Sequence, residues 1–225
     1  MNSVIPFNNS RYQKNIHANV PASINGKVRI PKIEPTAYVH SLAAVIGNVY
    51  LGDRVMVAPA ASIRGNGGQP IWVGNDVKVH DCVVLHASET EHNDELVEEA
   101  VVEVDGNFYG VYIGDRVSLT HQCQVHGPAS IGKDTFVGMQ SLVFRATVGK
   151  NCVIEPKALV MGVEISDDRY VPAGALITTQ DAADNLPLIS QSYSLKDWHR
   201  AVVGVNPQIP LGNRRQEMPT PPKAI

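Results

Sequence analysis

The stretch "VYIGDRVSLTHQCQVHGPASIGKDTFVGMQSLVF", residues 111–144, decides the fold. Within it Ile113, Leu119, Val125, Ile131, Val137 and Val143 recur every six positions. A helix repeats its buried face about every 3.6 residues and a strand every second residue, so a sustained period of six belongs to neither alone. Hexapeptide repetition marks a parallel β-helix, in which each repeat supplies one short strand and one corner. The repeated aliphatic points into a stacked core. The glycine after many of them, as in "IGD", "IGK" and "VGK", is expected to help the backbone turn the corner.

The period extends outward in both directions. Val39, Val45, Leu51, Val57 and Ile63 form an upstream run, followed by Val73, Val79 and Leu85. Downstream, Val148, Ile154 and Val160 continue after a slip of one, and Ile165, Val171 and Ile177 after another. Residues 87–110, "ASETEHNDELVEEAVVEVDGNFYG", interrupt the period as an acidic loop. The implied organisation is an N-terminal extension at 1–30, a β-helix domain at 31–178, a helical segment at 179–206 and a Pro-rich, flexible tail at 207–225. Thr179 is placed to cap "QDAADNLP", which Pro187 stops. A second helix is expected from Ser194, with Leu195, Trp198, Val202 and Val205 as an apolar stripe against the coil.

Composition narrows the function classes. A chain of 225 residues with a net charge of −3 and no long basic run is a poor nucleic-acid binder. No apolar run reaches the length of a membrane span, and "MNSVIPFNNSRYQ" lacks the apolar core of a secretion signal, so the expected location is the cytoplasm. Cys82, Cys123 and Cys152 have no disulfide-framework spacing and read as reduced thiols, with Cys123 packed rather than a ligand.

The same period places the histidines. Leu85 to Ile113 spans 28 positions, one hexad plus a 22-residue insert. Val125 then stacks one coil above Leu85, and the residues that follow them, His126 and His86, share a hexad position in successive coils. Neighbouring strands lie about 4.8 Å apart, so two such imidazoles can share a metal ion. His121 lies beside a different edge of the coil, suited to completing the pair of a neighbouring subunit. The arithmetic therefore suggests a three-histidine site shared between chains, the ligand set of a catalytic zinc with one open position. By the same count His80 lies one coil from His121, as a relay imidazole, a space-filling substitution or a fourth ligand. His17, His40, His92 and His199 read as solvent-facing or packing residues.

"APAASIRGN", "DCVVLHA", "VEVDGNFYGVYIG", "HQCQVHGPASIG", "FVGMQSLVF" and "RYVPAGALITTQ" occur in an order and spacing that resemble the γ-class carbonic anhydrases, over about residues 31–207. The resemblance implies an all-β, left-handed parallel β-helix with a C-terminal α-helix packed alongside. It implies a homotrimer with metal at the subunit interfaces, and metal-hydroxide attack on CO2 to give bicarbonate and a proton. It implies Zn2+ as cofactor, with Fe2+ or Co2+ as alternatives. His86, His121 and His126 match the metal ligands, Arg64 and Asp81 an interface pair, Glu89 a proton shuttle and Asn206 an active-site asparagine. Two stretches depart from the family pattern. In "RGNG", Asn66 and Gly67 stand where the family has Asp and Glu. In "KVHD", Lys78 and His80 stand where it has Asn and Gln. Two further readings follow from related proteins. One is a silent, carboxysome-type scaffold with the tail as docking segment. The other is a hexapeptide acyltransferase, which shares the coil but uses one interface histidine as base.

Overall fold

The computed structural model describes residues 15–20, 27–190 and 193. Its strands stack into three parallel sheets of seven, seven and eight strands. One coil shows the pattern. Val111–Ile113 lies in the first sheet, Ser118–Leu119 in the second and Gln124–His126 in the third, and the chain then returns to the first at Ala129–Ile131. Each strand pairs with its equivalents one coil below and above, so the section is triangular and the backbone bonds run along the axis.

The register follows the hexad count. Ile113 pairs with Val73 and Ile131, Leu119 with Val79 and Val137, and Val125 with Leu85 and Val143. The pairing of Leu85 with Val125 accommodates the 22-residue insert without breaking the stack. The two slips are absorbed where Ile131 pairs with Val148 and Val148 with Ile165. The repeated aliphatics and the residues two before them fill the interior. Leu51, Ile63, Leu85, Ile113, Leu119 and Ile131 are fully buried. At about 1.5–3 kcal/mol for each such side chain, this column is the main source of stability.

The repeat glycines have a different role from the one expected. Gly52, Gly74, Gly114, Gly132 and Gly149 are not in the left-handed region. A Cβ on Gly74 would lie 2.5 Å from Asp115 Oδ1, and one on Gly132 2.5 Å from the Gly149 carbonyl carbon. These glycines let successive coils approach closely. The corners turn two residues later, on Arg54, Asp76, Arg116 and Asp134, all with φ between 56° and 61°. That strain is offset by ladders along the corner, such as Arg116 donating to both oxygens of Asp134 at 2.6 and 2.8 Å.

The acidic insert is ordered. It contains two antiparallel hairpins, Glu91–His92 with Glu95–Leu96 and Val102–Val104 with Asn107–Tyr109, joined by a 3-10 turn at Glu98–Ala100. Upstream, Ile16–His17 adds a parallel strand beside Ala44–Gly47 at the edge of the third sheet. Downstream, Gln180–Asp184 is helical, and the Thr179 side chain accepts from the Ala182 N–H. The expected second helix at 194–206, His199 and the tail at 207–225 lie outside the described residues.

Candidate metal centre

In the third sheet Ile46, Arg64, His86, His126, Phe144 and Met161 form one column, each the direct register partner of the next. Leu85 and Val125 point inward, so the alternation of a strand turns His86 and His126 outward side by side. Their ring centroids are 5.2 Å apart, and His86 Nδ1 faces His126 Nε2 at 3.3 Å.

The remaining ring nitrogens are held by oxygens. His86 Nε2 lies 3.2 Å from Asn66 Oδ1, and His126 Nδ1 lies 3.0 Å from the Gly127 carbonyl. Both oxygens accept, so each keeps a proton on the nitrogen it faces. The opposite nitrogens, His86 Nδ1 and His126 Nε2, are then bare lone pairs turned toward each other. Two ligands at a Zn–N distance of about 2.0–2.1 Å in a tetrahedral shell lie about 3.3–3.4 Å apart, which is the separation of this pair. The donor set fits a tetrahedral metal ion. Burial, the Arg64 charge and His126 push the His86 pKa down to about 4, which keeps the imidazole neutral and able to ligate.

His121 occupies the corner between the second and third sheets. Its Nδ1 lies 3.1 Å from Asp81 Oδ2, and half of its side-chain surface is exposed. Within one chain the structure brings together His86 and His126, and places His121 at the far end of the three-residue strand Gln124–His126. His121 instead sits beside His80, with ring centroids 4.7 Å apart. His80, Asp81 and His121 have ligand atoms within 4.8 Å of one another, close enough to hold a metal ion by themselves.

The other expected site residues fall as follows. Arg64 stacks directly beneath His86, while Asp81 is engaged by His121; no ion pair between Arg64 and Asp81 forms within the described chain. Glu89 begins the insert, and its Oε1 lies 3.2 Å from His92 Nδ1, a partnership that sequence spacing did not suggest. Asn206 lies outside the described residues. Gly67 has a packing reason to lack a side chain, since a Cβ there would lie 2.2 Å from the Ser88 carbonyl oxygen. The insert has taken the space that a carboxylate at 67 would need. Lys78 is buried, which lowers its pKa, and so is the Nε2 atom of His80.

None of the protein-family models matches the chain. It is 50% identical over 199 residues to a carbonic anhydrase of Methanosarcina thermophila, covering 88% of this chain and 81% of that protein. The chain belongs to the γ-class carbonic anhydrase family. It is also 37% identical over 181 residues to the carboxysome assembly protein CcmM of a Nostoc species and 40% identical over 190 residues to that of Synechococcus elongatus. It spans only 31% and 33% of the length of those two proteins. Among solved structures, a putative acetyltransferase of Bacillus cereus superposes with a TM-score of 0.64 at 20% identity, covering 84% of this chain and 94% of that one. A hexapeptide transferase family protein of Anaplasma phagocytophilum gives 0.60 at 19%, over 83% and 93%. These two likenesses are of fold alone. Family membership makes the chain an enzyme of the carbonic anhydrase type and implies a metal cofactor. No helix among the described residues is long and apolar enough to cross a membrane.

Proposed function

We propose that this carbonic anhydrase works as a cytoplasmic homotrimer with three shared metal sites, each built from His86 and His126 of one subunit and His121 of the next. The observation that carries this reading is the 3.3 Å approach of two bare imidazole nitrogens, each oriented by an oxygen behind it. His121 has a comparable arrangement, an Asp81 carboxylate 3.1 Å from Nδ1 at an exposed corner. Held by these three imidazoles, an ion such as Zn2+, with Fe2+ or Co2+ as alternatives, would lower the pKa of its water to about 7 and so provide the nucleophile for CO2. The chain's own residues keep His86 neutral, aim the ligands and remove the proton. Glu89 accepts that proton and hands it to His92, whose ring is 59% exposed.

A second arrangement is favoured by the His80, Asp81 and His121 cluster, which would hold the ion within one chain. The similarity to CcmM supports a further role in carboxysome-type assembly, with the chain docked to a larger protein partner. Stopped-flow CO2 hydration on protein loaded with zinc, or anaerobically with iron, tests the enzyme reading. Hydration is expected to require metal and to disappear in His86→Ala. Full activity in that variant, or rapid hydration by metal-free protein, would rule the proposed centre out.

A further inference from the structure

The outer face of the first sheet lies apart from the metal centre. Val49 and Leu51, Ile71 and Val73, and Val111 and Ile113 are buried in pairs, so only the middle residue of each strand faces out. Tyr50, Trp72, Tyr112, Ser130, Thr147 and Glu164 form that outward column, each the register partner of the next. One half of it is aromatic. Tyr50 and Trp72 stack with ring centroids 3.9 Å apart, and Tyr109 of the insert lies 6.0 Å from Trp72 and 5.2 Å from Tyr112. All four rings are half-buried. The other half opens into a polar cavity of about 490 Å³, where Glu103 and Arg145 join Ser130, Thr147 and Glu164. Arg145 donates to the Glu99 carbonyl at 2.9 Å, and the Glu103 and Glu164 side chains are exposed. At the aromatic end the Tyr50 hydroxyl donates to Glu34 at 3.2 Å. The groove is a strip of rings with carboxylates at both ends.

Such a strip fits a type II polyproline strand with basic flanks. The chain carries one in "RRQEMPTPPK", residues 214–223. We propose that this segment of the chain's own tail docks along the first-sheet groove. Pro219, Pro221 and Pro222 lie on the rings, Arg214 and Arg215 meet Glu103 and Glu164, Glu217 falls opposite Arg145, and Lys223 reaches Glu34. The spacings agree. Neighbouring strands are about 4.8 Å apart, so Tyr50 to Tyr112 spans about 9.6 Å and Tyr112 to Glu164 about 14 Å. Polyproline rises about 3.1 Å per residue, so Pro219 to Pro222 covers about 9.3 Å and Arg215 to Pro219 about 12 Å. The direction agrees too. Tyr193 stacks on Tyr170 in the last strand of the second sheet, and Glu164 stands in the last strand of the first. The twenty residues between Tyr193 and Arg214 extend to about 70 Å at most, ample to join these points. Such a tether holds the tail near its own groove at about millimolar concentration, which favours it over a second copy's tail.

The test uses full-length protein with the photo-crosslinker p-benzoylphenylalanine in place of Met218. Irradiation is expected to join position 218 to Tyr112, Tyr109 or Trp72, mapped by mass spectrometry, in a product that runs at the mass of one chain on a denaturing gel. Arg214→Glu with Arg215→Glu should lower that yield roughly 5-fold. Adding Glu103→Arg with Glu164→Arg should restore it. Adducts on other faces, or none, would overturn the proposal. A product at the mass of two chains would overturn it as well, by assigning the groove to a second copy's tail. A yield that charge reversal leaves unchanged would remove the carboxylate contacts and the proposed register with them.

Discussion

His80 Nε2 is buried without a hydrogen-bond partner among the described residues. Burial, then His121, then Lys78 push its pKa down from 6.5 to about 4, against a weaker opposing pull from Asp81. In metal-free protein this fixes the sign of an acid effect. Well above pH 6.5 the ring is neutral folded or unfolded, and His80 contributes no pH dependence. As pH falls from 6.5 toward 4, the unfolded chain takes up a proton that the folded chain refuses, so stability declines. His80→Gln, which keeps a polar side chain at the corner, should remove that slope. The two proteins are expected to differ by a constant amount above pH 7, while the variant gains on the order of 2 kcal/mol relative to wild type by pH 4.5. Denaturant titrations at the two pH values check this, and parallel losses in both proteins would refute it. At this scale the pairing of His86 with His126 could be counted from the hexads. Their hydrogen-bond partners could not. Ile63 and Val73 are ten residues apart instead of six, and the extra residues form the irregular corner that carries Asn66 to His86.

The insert is the element whose character composition concealed. Its acidic residues suggest a solvated loop, yet Thr90 is fully buried and Glu91 nearly so. Glu91 receives both oxygens' worth of contact from Arg29 at 3.0 Å and a third bond from Gln69 Nε2 at 2.9 Å. The Thr90 hydroxyl donates to the Gly67 carbonyl at 2.9 Å and accepts from the Gln69 N–H at 2.5 Å. These contacts pin the start of the insert against the glycine that replaces a family carboxylate, and they hold Glu89 and His92 at the rim. Charge count is blind to this, because the partners lie more than twenty residues away. Thr90→Val keeps the shape but removes both bonds. It is expected to cost about 1–3 kcal/mol and to speed amide hydrogen exchange across residues 89–96. The coil amides of Leu119 and Val125 should keep their protection. Equal loss of protection in coil and insert would show that the anchor is part of the global fold and not a local clasp. The glycines teach a similar lesson. Their spacing marks the coil, but only the folded structure separates the residues that allow stacking from the left-handed residues that turn the corners.

For the whole molecule the question is whether one chain or two hold the ion, and the triangular section supplies the test. His86 and His126 share one column, while His121 points from another corner toward His80 and Asp81. In a site shared around a closed trimer, a His121→Ala chain retains the paired half of each site and a His86→Ala chain retains the single-ligand half. Neither variant alone should bind zinc tightly. Co-expressed in equal amounts, they assemble mixed trimers in which an intact pair meets an intact His121 at about one interface in four, because both neighbours must be of the right type. Zinc content and CO2 hydration per chain should then recover to about one quarter of wild type. A site confined to His80, Asp81 and His121 predicts the opposite pattern. His86→Ala alone would hold a full complement of zinc, His121→Ala would hold none, and mixing would give only their average. The decisive measurement is thus the zinc content of the His86→Ala trimer before mixing, since an ion retained there has all its ligands in one chain.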